Sequence, residues 1–169
     1  MLKVGDLAPS FCAPNQDDVE ICSRDLEGKW IVLYFYPKDL TPGCTTQACD
    51  FTDKHSFYDD LDAVVLGVSP DDTLMHRKFI DKYDLTITLL SDVSKKICED
   101  YKVWQLKQFM GKEFMGVVRT TFIINPEGKI AAIWDKVSVR KKKSVKGEKI
   151  EILHVDEVKE KLQELQSKN

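Results

Sequence analysis

Three apolar runs dominate the hydrophobic pattern. Trp30 to Tyr36 is unbroken, rich in β-branched and aromatic residues, and closed by Pro37. A run of this kind predicts a strand buried on both faces of a sheet. Ala63 to Val68 predicts a second such strand, and Val117 to Ile124 a third that carries Arg119 inside it. Ile87 to Leu90 is a shorter strand. Between the runs the apolar spacing changes to three and four, the helical repeat. Residues 42 to 60 carry Ala48, Phe51, His55 and Tyr58 on one face. Asp72 to Tyr83 is predicted as an amphipathic helix with Leu74, Met75, Phe79 and Ile80 inward. Ser94 to Tyr101 is a short helix, and Val155 to Leu165 is a terminal one with Val155, Val158, Leu162 and Leu165 on one side.

The remaining stretches are punctuation. Lys3 to Cys22 is loop-like, with room for two short strands around Asn15 to Asp18, and Ser23 to Gly28 suits a helical turn. Phe109 to Gly116 reads as a loop, because it holds two Gly and two Met. Pro126 to Lys129 is a tight turn that folds Ile130 to Lys136 back as a hairpin. Strand, helix, strand, helix, strand, hairpin, helix is the order of a mixed sheet with helices on both faces. A thioredoxin-like α/β fold fits it. Neither a repeat nor a Gly/Ser-rich linker divides the chain, so residues 1–169 are read as one domain. Residues 138–153 form a longer basic insertion before the C-terminal helix.

Composition narrows the class. At 169 residues the chain can bury a sizeable core. With 43% hydrophobic and 31% charged residues it fits neither a disordered nor a membrane-embedded protein. No apolar run approaches the ~20 residues of a membrane span, and Met1 to Asp6 lacks the pattern of a secretory signal. A net charge of −3 disfavours nucleic acid as a partner. Arg140 to Lys143, Lys146 and Lys149 are basic but lack interleaved aromatics, and read as a solvated loop or hairpin tip. The five cysteines, an odd number, argue against a structural disulfide framework and for a reducing cytoplasm. Cys12, Cys22 and Cys98 are read as small buried hydrophobes.

The chemistry concentrates between Tyr36 and Cys49. Thr41 is a good N-cap and Pro42 suits the first helical position. Cys44 then falls in the first turn, where unpaired N–H groups and the helix dipole favour a thiolate. Thr41, three residues earlier, is near enough to offer its hydroxyl to the sulfur or to a bound oxygen. Cys49 is five residues on, which on a regular helix puts the two Cα atoms roughly 8.6 Å apart. That exceeds the ~7 Å reach of a disulfide. The pair is therefore either two unrelated cysteines or a redox pair whose bond requires local unwinding. Metal ligation lacks further ligands nearby, so no metal is expected. A charge inside an apolar strand is costly unless paired. Arg119 is thus either salt-bridged at the sheet end or a fixed cation aimed at the thiolate.

These residues resemble the peroxiredoxins. Pro37-x-x-x-Thr41-x-x-Cys44 with a later Arg119 is similar to the signature of that family. The fuller stretch Tyr36 to Cys49 is similar to the bacterioferritin comigratory, or Q, type, as are Leu89 to Asp92, Val103-Trp104, Phe114 to Gly116 and Arg119-x-Thr121-Phe122. The resemblance runs from about Val4 to Trp134. It implies reduction of hydrogen peroxide and organic hydroperoxides by Cys44 as the peroxidatic cysteine, with Thr41 and Arg119 orienting the peroxide and Pro37 shielding the pocket, which Gly43 also lines. It implies that Cys49 resolves the sulfenic acid and that thioredoxin reduces the disulfide, with no cofactor. A monomer without nucleic-acid or membrane partners is expected. The chain has Gln47 where many relatives have Glu, though Gln also occurs, and it lacks the cysteine that some relatives place near Lys82 to Asp84. Its segment from Ser138 to Leu153 is longer and more basic than the resemblance leads one to expect.

Two other classes fit less well. A disulfide reductase would want Cys-x-x-Cys, which brings the sulfurs within bonding reach in the folded state. A copper-handling protein would need a His or Met near Cys44. Trp104, Phe109 and Phe114 are read equally as an apolar wall beside the site and as core.

Overall fold

A computed structural model describes residues 1–168. A hairpin opens the chain, with β1 (Cys12–Pro14) antiparallel to β2 (Glu20–Cys22), followed by a 3₁₀ turn at Ser23–Leu26. Then come β3 (Trp30–Phe35), α1 (Pro42–Asp53), α2 (His55–Asp60), β4 (Ala63–Ser69), α3 (Thr73–Tyr83), β5 (Thr88–Ser91) and α4 (Lys96–Asp100). The second half holds β6 (Trp104–Phe109), β7 (Lys112–Val117), β8 (Thr120–Ile124), β9 (Ile130–Trp134), β10 (Arg140–Val145), β11 (Glu148–Leu153) and α5 (His154–Ser167).

The central sheet has the order β5-β4-β3-β8-β9. β3 pairs parallel with β4 and antiparallel with β8, which makes the sheet mixed. Each central strand is buried because both faces are covered, which explains the unbroken apolar runs. One face packs Val32, Tyr34, Val65 and Ile123 against Cys44, Ala48 and Phe51 of α1, Phe79 of α3, and Val155, Val158 and Leu162 of α5. The other packs Leu33, Phe35, Leu66 and Phe122 against Phe11, Ala13, Ile97 and Tyr101. Gly67 must be glycine: a Cβ there would lie 2.7 Å from the Tyr34 ring. Stacking of Tyr34 on Phe51, with centroids 4.7 Å apart, seats α1 on the sheet.

Several expectations change. The third apolar run is two strands, since β7 ends at Val117 and β8 begins at Thr120, so Arg119 lies in the link between them and not within a strand. Phe109 to Gly116 is the tip and return strand of the β6–β7 hairpin, turning at Met110 and Gly111, which both have positive φ. On α3, Leu74 is 64% exposed, and His76 takes the inward position beside Phe79 and Ile80. Asp72 caps that helix by accepting from the Met75 N–H. Phe109 and Phe114 are exposed rather than core, at 67% and 45%.

Cys12 and Cys22 are joined by a disulfide, against the expectation of two buried thiols, and Cys12 is exposed. They face each other directly across β1–β2 with Cα atoms 4.0 Å apart. A cysteine count ignores strand register, and register is what brings these two together. Cys98 is fully buried, as expected, and burial together with the Asp92 carboxylate pushes its thiol far up. The basic segment is a hairpin of β10 and β11 in which every β10 residue is exposed.

Candidate active site

β3 ends at Phe35, and residues 36–41 carry the chain from the strand end to the start of α1. Leu40 sits at φ +65°, a left-handed conformation that is strained for a branched side chain and turns the chain into the helix. Thr41 holds the N-cap position with extended backbone, and Pro42 occupies the first helical position. The first helical bond runs from the Thr45 N–H to the Thr41 carbonyl, leaving the N–H groups of Gly43 and Cys44 at the open end of the helix. The Thr41 hydroxyl does not cap: it donates to the Lys38 carbonyl at 2.7 Å, so it braces the loop instead of the helix or the sulfur.

Cys44, in the first turn of α1, is 2% exposed and packs in the core between that helix and the sheet. Arg119, 75 residues away, enters from the β7–β8 link and donates from Nη2 to the Cys44 sulfur at 3.3 Å. Its Nη1 donates to Gln47 Oε1 at 2.6 Å. Cys44 and Gln47 are three apart on α1 and so share a face, which lets one guanidinium span both. Gly43 makes room for it, because a Cβ there would lie 3.2 Å from Nη2. Pro37 is half-buried at the mouth of the loop. Lys107 adds a second cation: its Nζ donates to the Val117 carbonyl at 2.9 Å. Burial and the nearby Arg119 push that ammonium down, while negative charge on Cys44 opposes them.

The structure thus brings Cys44, Gly43 and Arg119 together, with Thr41 and Pro37 in the loop that frames them. Cys49 lies on the same unbroken helix, half-buried, and both cysteines are free. Burial, then Asp53 and Asp50, push the Cys49 thiol up, and Arg140 pulls it down. In the wound helix Cys49 is therefore a poor thiolate. While α1 is wound, the helical spacing holds the two sulfurs out of bonding reach.

Sequence reasoning missed Gln47 as the anchor of Arg119, although its i, i+3 spacing from Cys44 was a usable signal. It also missed the support of the loop. Asp39, 3% exposed, accepts from the Tyr36 hydroxyl at 2.6 Å, and its N–H donates to Asp71 Oδ2 at 2.8 Å. His76, fully buried on α3, meets the same carboxylate through Nδ1 at 2.5 Å and the Leu90 carbonyl through Nε2 at 3.0 Å. Asp39, Asp71 and His76 are close enough to suggest a metal site. Both ring nitrogens of His76 already face protein oxygens, however, and the cluster reads as a clamp on the loop.

A free cysteine at the start of a helix, beside a strand end of a thioredoxin-like sheet and bonded by an arginine, suits a thiol peroxidase class of site. Comparison with known proteins agrees. Residues 4–133 match the AhpC/TSA family. The chain is 47% identical over 139 residues to Peroxiredoxin Bcp of Bacillus subtilis, covering 82% of this chain and 88% of that one. It is 42% identical over 134 residues to Peroxiredoxin Bcp of Escherichia coli K12, covering 79% and 86%. Peroxiredoxin Q of Xanthomonas campestris superposes with a TM-score of 0.80 at 32% identity, over 97% of this chain and 96% of that structure. The Xylella fastidiosa PrxQ structure gives 0.82 at 30% identity, over 97% of each chain. The chain belongs to the AhpC/TSA family, within its Bcp or Q-type peroxiredoxins, and is a thiol-dependent peroxidase. No helix among the described residues is long and apolar enough to cross a membrane.

Proposed function

We propose that Cys44 is the peroxidatic cysteine and Cys49 the resolving one in a cycle that reduces hydrogen peroxide and organic hydroperoxides. The observation that carries this reading is the 3.3 Å hydrogen bond from Arg119 to the Cys44 sulfur at an open helix N-terminus. The Cys44 thiolate attacks the distal peroxide oxygen, the O–O bond breaks, and the alkoxide or hydroxide leaves with a proton from solvent. Arg119 stabilises the negative charge that shifts from sulfur to oxygen, and the Gly43 and Cys44 N–H groups add to that field. The Thr41 hydroxyl, bonded to Lys38 through its hydrogen, keeps its lone pairs for a peroxide O–H. Pro37 covers the loop side of the pocket. Cys49 then attacks the Cys44 sulfenic acid, forming the disulfide and releasing water. A dithiol protein of the thioredoxin type returns both thiols and is itself oxidised.

The same reading treats residues 1–169 as one domain with an insertion at 138–153, acting as a monomer in the cytoplasm without nucleic-acid partners. An organic-peroxide substrate is supported by a relative, the bacterioferritin comigratory protein of Xanthomonas campestris, whose trapped intermediate and ligand complex structures concern alkyl peroxide reduction. The test is a peptide map of protein given one equivalent of peroxide. The expected product joins the Cys44 and Cys49 peptides. A Cys44 peptide joined to Cys98, or left as a stable sulfenic acid, overturns the assignment of Cys49.

A further inference from the structure

The basic hairpin is tied to the active-site helix at one place. Arg140, the first residue of β10, donates from Nη2 to Asp50 Oδ1 at 2.7 Å and from Nε to Oδ2 at 3.2 Å. This forked pairing spans 90 residues of sequence, and Glu151 across the hairpin holds the third nitrogen, Nη1, at 3.2 Å. Asp50 is 2% exposed, follows Cys49 directly, and belongs to α1. The base of the hairpin is fixed on both sides. The Val137 N–H donates to the Arg119 carbonyl and the His154 N–H to the Val139 carbonyl, each at 2.9 Å. Arg140 therefore stands on a braced strand end that is tied through the Val137 N–H to the backbone of Arg119. It grips α1 one residue past the cysteine that must travel.

Unwinding α1 far enough to bring Cys49 to Cys44 drags Asp50 with it. That motion breaks two charge-assisted hydrogen bonds, of a kind stronger than neutral ones. We propose that Arg140 is a positioning residue for the resolving step: by clamping Asp50 it holds α1 wound and sets how often Cys49 is released to meet oxidised Cys44. The proposal rests on the Cys44–Cys49 cycle described above. A tighter latch lengthens the life of the sulfenic acid. A second peroxide then has more time to add an oxygen to it, giving sulfinic acid and water or alcohol.

The clamp also bears on charge, and two variants separate the effects. Arg140→Ala opens the latch and removes the cation that favours the Cys49 thiolate. Asp50→Asn weakens the same latch but removes an anion that disfavours it. If the latch governs, both variants speed disulfide formation after a peroxide pulse, by about three- to tenfold, the scale of a charged hydrogen bond discounted for a half-exposed guanidinium. Both then also lower the sulfinic acid formed per turnover, and amide exchange across residues 44–53 of the reduced protein quickens in each. The bimolecular reaction of peroxide with Cys44 stays at the wild-type rate. Opposite effects of the two variants on disulfide formation, or no change in either, overturn the latch. Amide exchange needs no disulfide, so it tests the latch even if the peptide map shows Cys49 unpaired, an outcome that would instead remove the cycle itself.

Discussion

Gln47 Oε1 accepts the Nη1–H of Arg119 at 2.6 Å, so the guanidinium that touches Cys44 is aimed by a side chain one turn further along the same helix. The two contacts fix Arg119 in its plane. Without Gln47 the guanidinium keeps only the sulfur and can rotate about its long stem.

Replacing Gln47 by Leu should therefore slow the reaction of peroxide with Cys44 by about tenfold, the order expected when an oriented charged donor is loosened but not removed. Gln47→Glu keeps an acceptor at the same reach and should retain most of the rate. Stopped-flow peroxide consumption measures both. Equal rates in Gln47→Leu and wild type would mean that Arg119 is held by its backbone alone.

Removing the cation is a larger change. Arg119→Met deletes the donor to sulfur and the charge that follows the electrons to oxygen, and should cost about 10²–10³ in kcat/KM. The same assay reads it. A loss of less than fivefold would shift the electrostatic role to Lys107.

The layers of the fold were legible because the central strands, covered on both faces, are unbroken apolar runs and most helical stripes keep the helical repeat. What escaped depended on residues distant in sequence. Arg119 was recognised as a costly charge, yet its place in a link was hidden, because Val117 and Thr120 to Ile124 are all buried and continue the apolar run across the break. Cys44 and Thr41 were legible from helix-start chemistry, but the Thr41 hydroxyl bonds to Lys38, a choice that depends on how the loop curls. The His76–Asp39 clamp joins residues 37 apart, and the Arg140–Asp50 pair joins residues 90 apart. No local pattern announces either pair.

The hairpin disulfide should act on stability and not on chemistry. Cys12 and Cys22 are 10 apart in sequence, and β1–β2 packs on the sheet face opposite α1. Closing a loop of this size stabilises by roughly 2–3 kcal/mol through the unfolded chain. The Cys12→Ala/Cys22→Ala variant should lose about that much in urea unfolding while reacting with peroxide at the wild-type rate. A matching loss in rate would show that the hairpin reaches the site.

His154 makes stability depend on pH. It is buried at the start of α5, Nε2 meets the Thr121 hydroxyl at 2.9 Å, and burial, then Lys141 and Arg119, push it down to about 4. Glu157 stands 3.9 Å from Nδ1, too far for a hydrogen bond, so burial prevails. A folded value below the unfolded ~6.5 means that the unfolded chain binds the proton first. The contribution is complete above about pH 6.5 and is lost as pH falls toward 4, amounting to roughly 3 kcal/mol. His154→Gln should flatten this slope in denaturant titrations between pH 7 and 4.5. An unchanged slope would assign the acid sensitivity to other groups.

The resolving step should carry its own pH signature. In the wound helix the Cys49 thiol is pushed up by burial and by the Asp53 and Asp50 carboxylates, so little of it is thiolate near neutrality. Unwinding removes the burial and separates Cys49 from those carboxylates, which returns it toward the ordinary cysteine value of about 8.5. Only the thiolate attacks the sulfenic sulfur. If attack starts from the unwound segment, the rate of disulfide formation should rise about tenfold per pH unit up to about pH 8.5 and then level. A plateau well above that would mean that Cys49 ionises while still packed against α1's own carboxylates. Cys49→Ser separates this step from the first one. Its peroxide reaction should match wild type, while turnover with a dithiol reductant collapses and sulfinic acid accumulates, read by mass spectrometry of the Cys44 peptide. Full turnover in that variant would mean that an external thiol reduces the sulfenic acid directly and that Cys49 is dispensable.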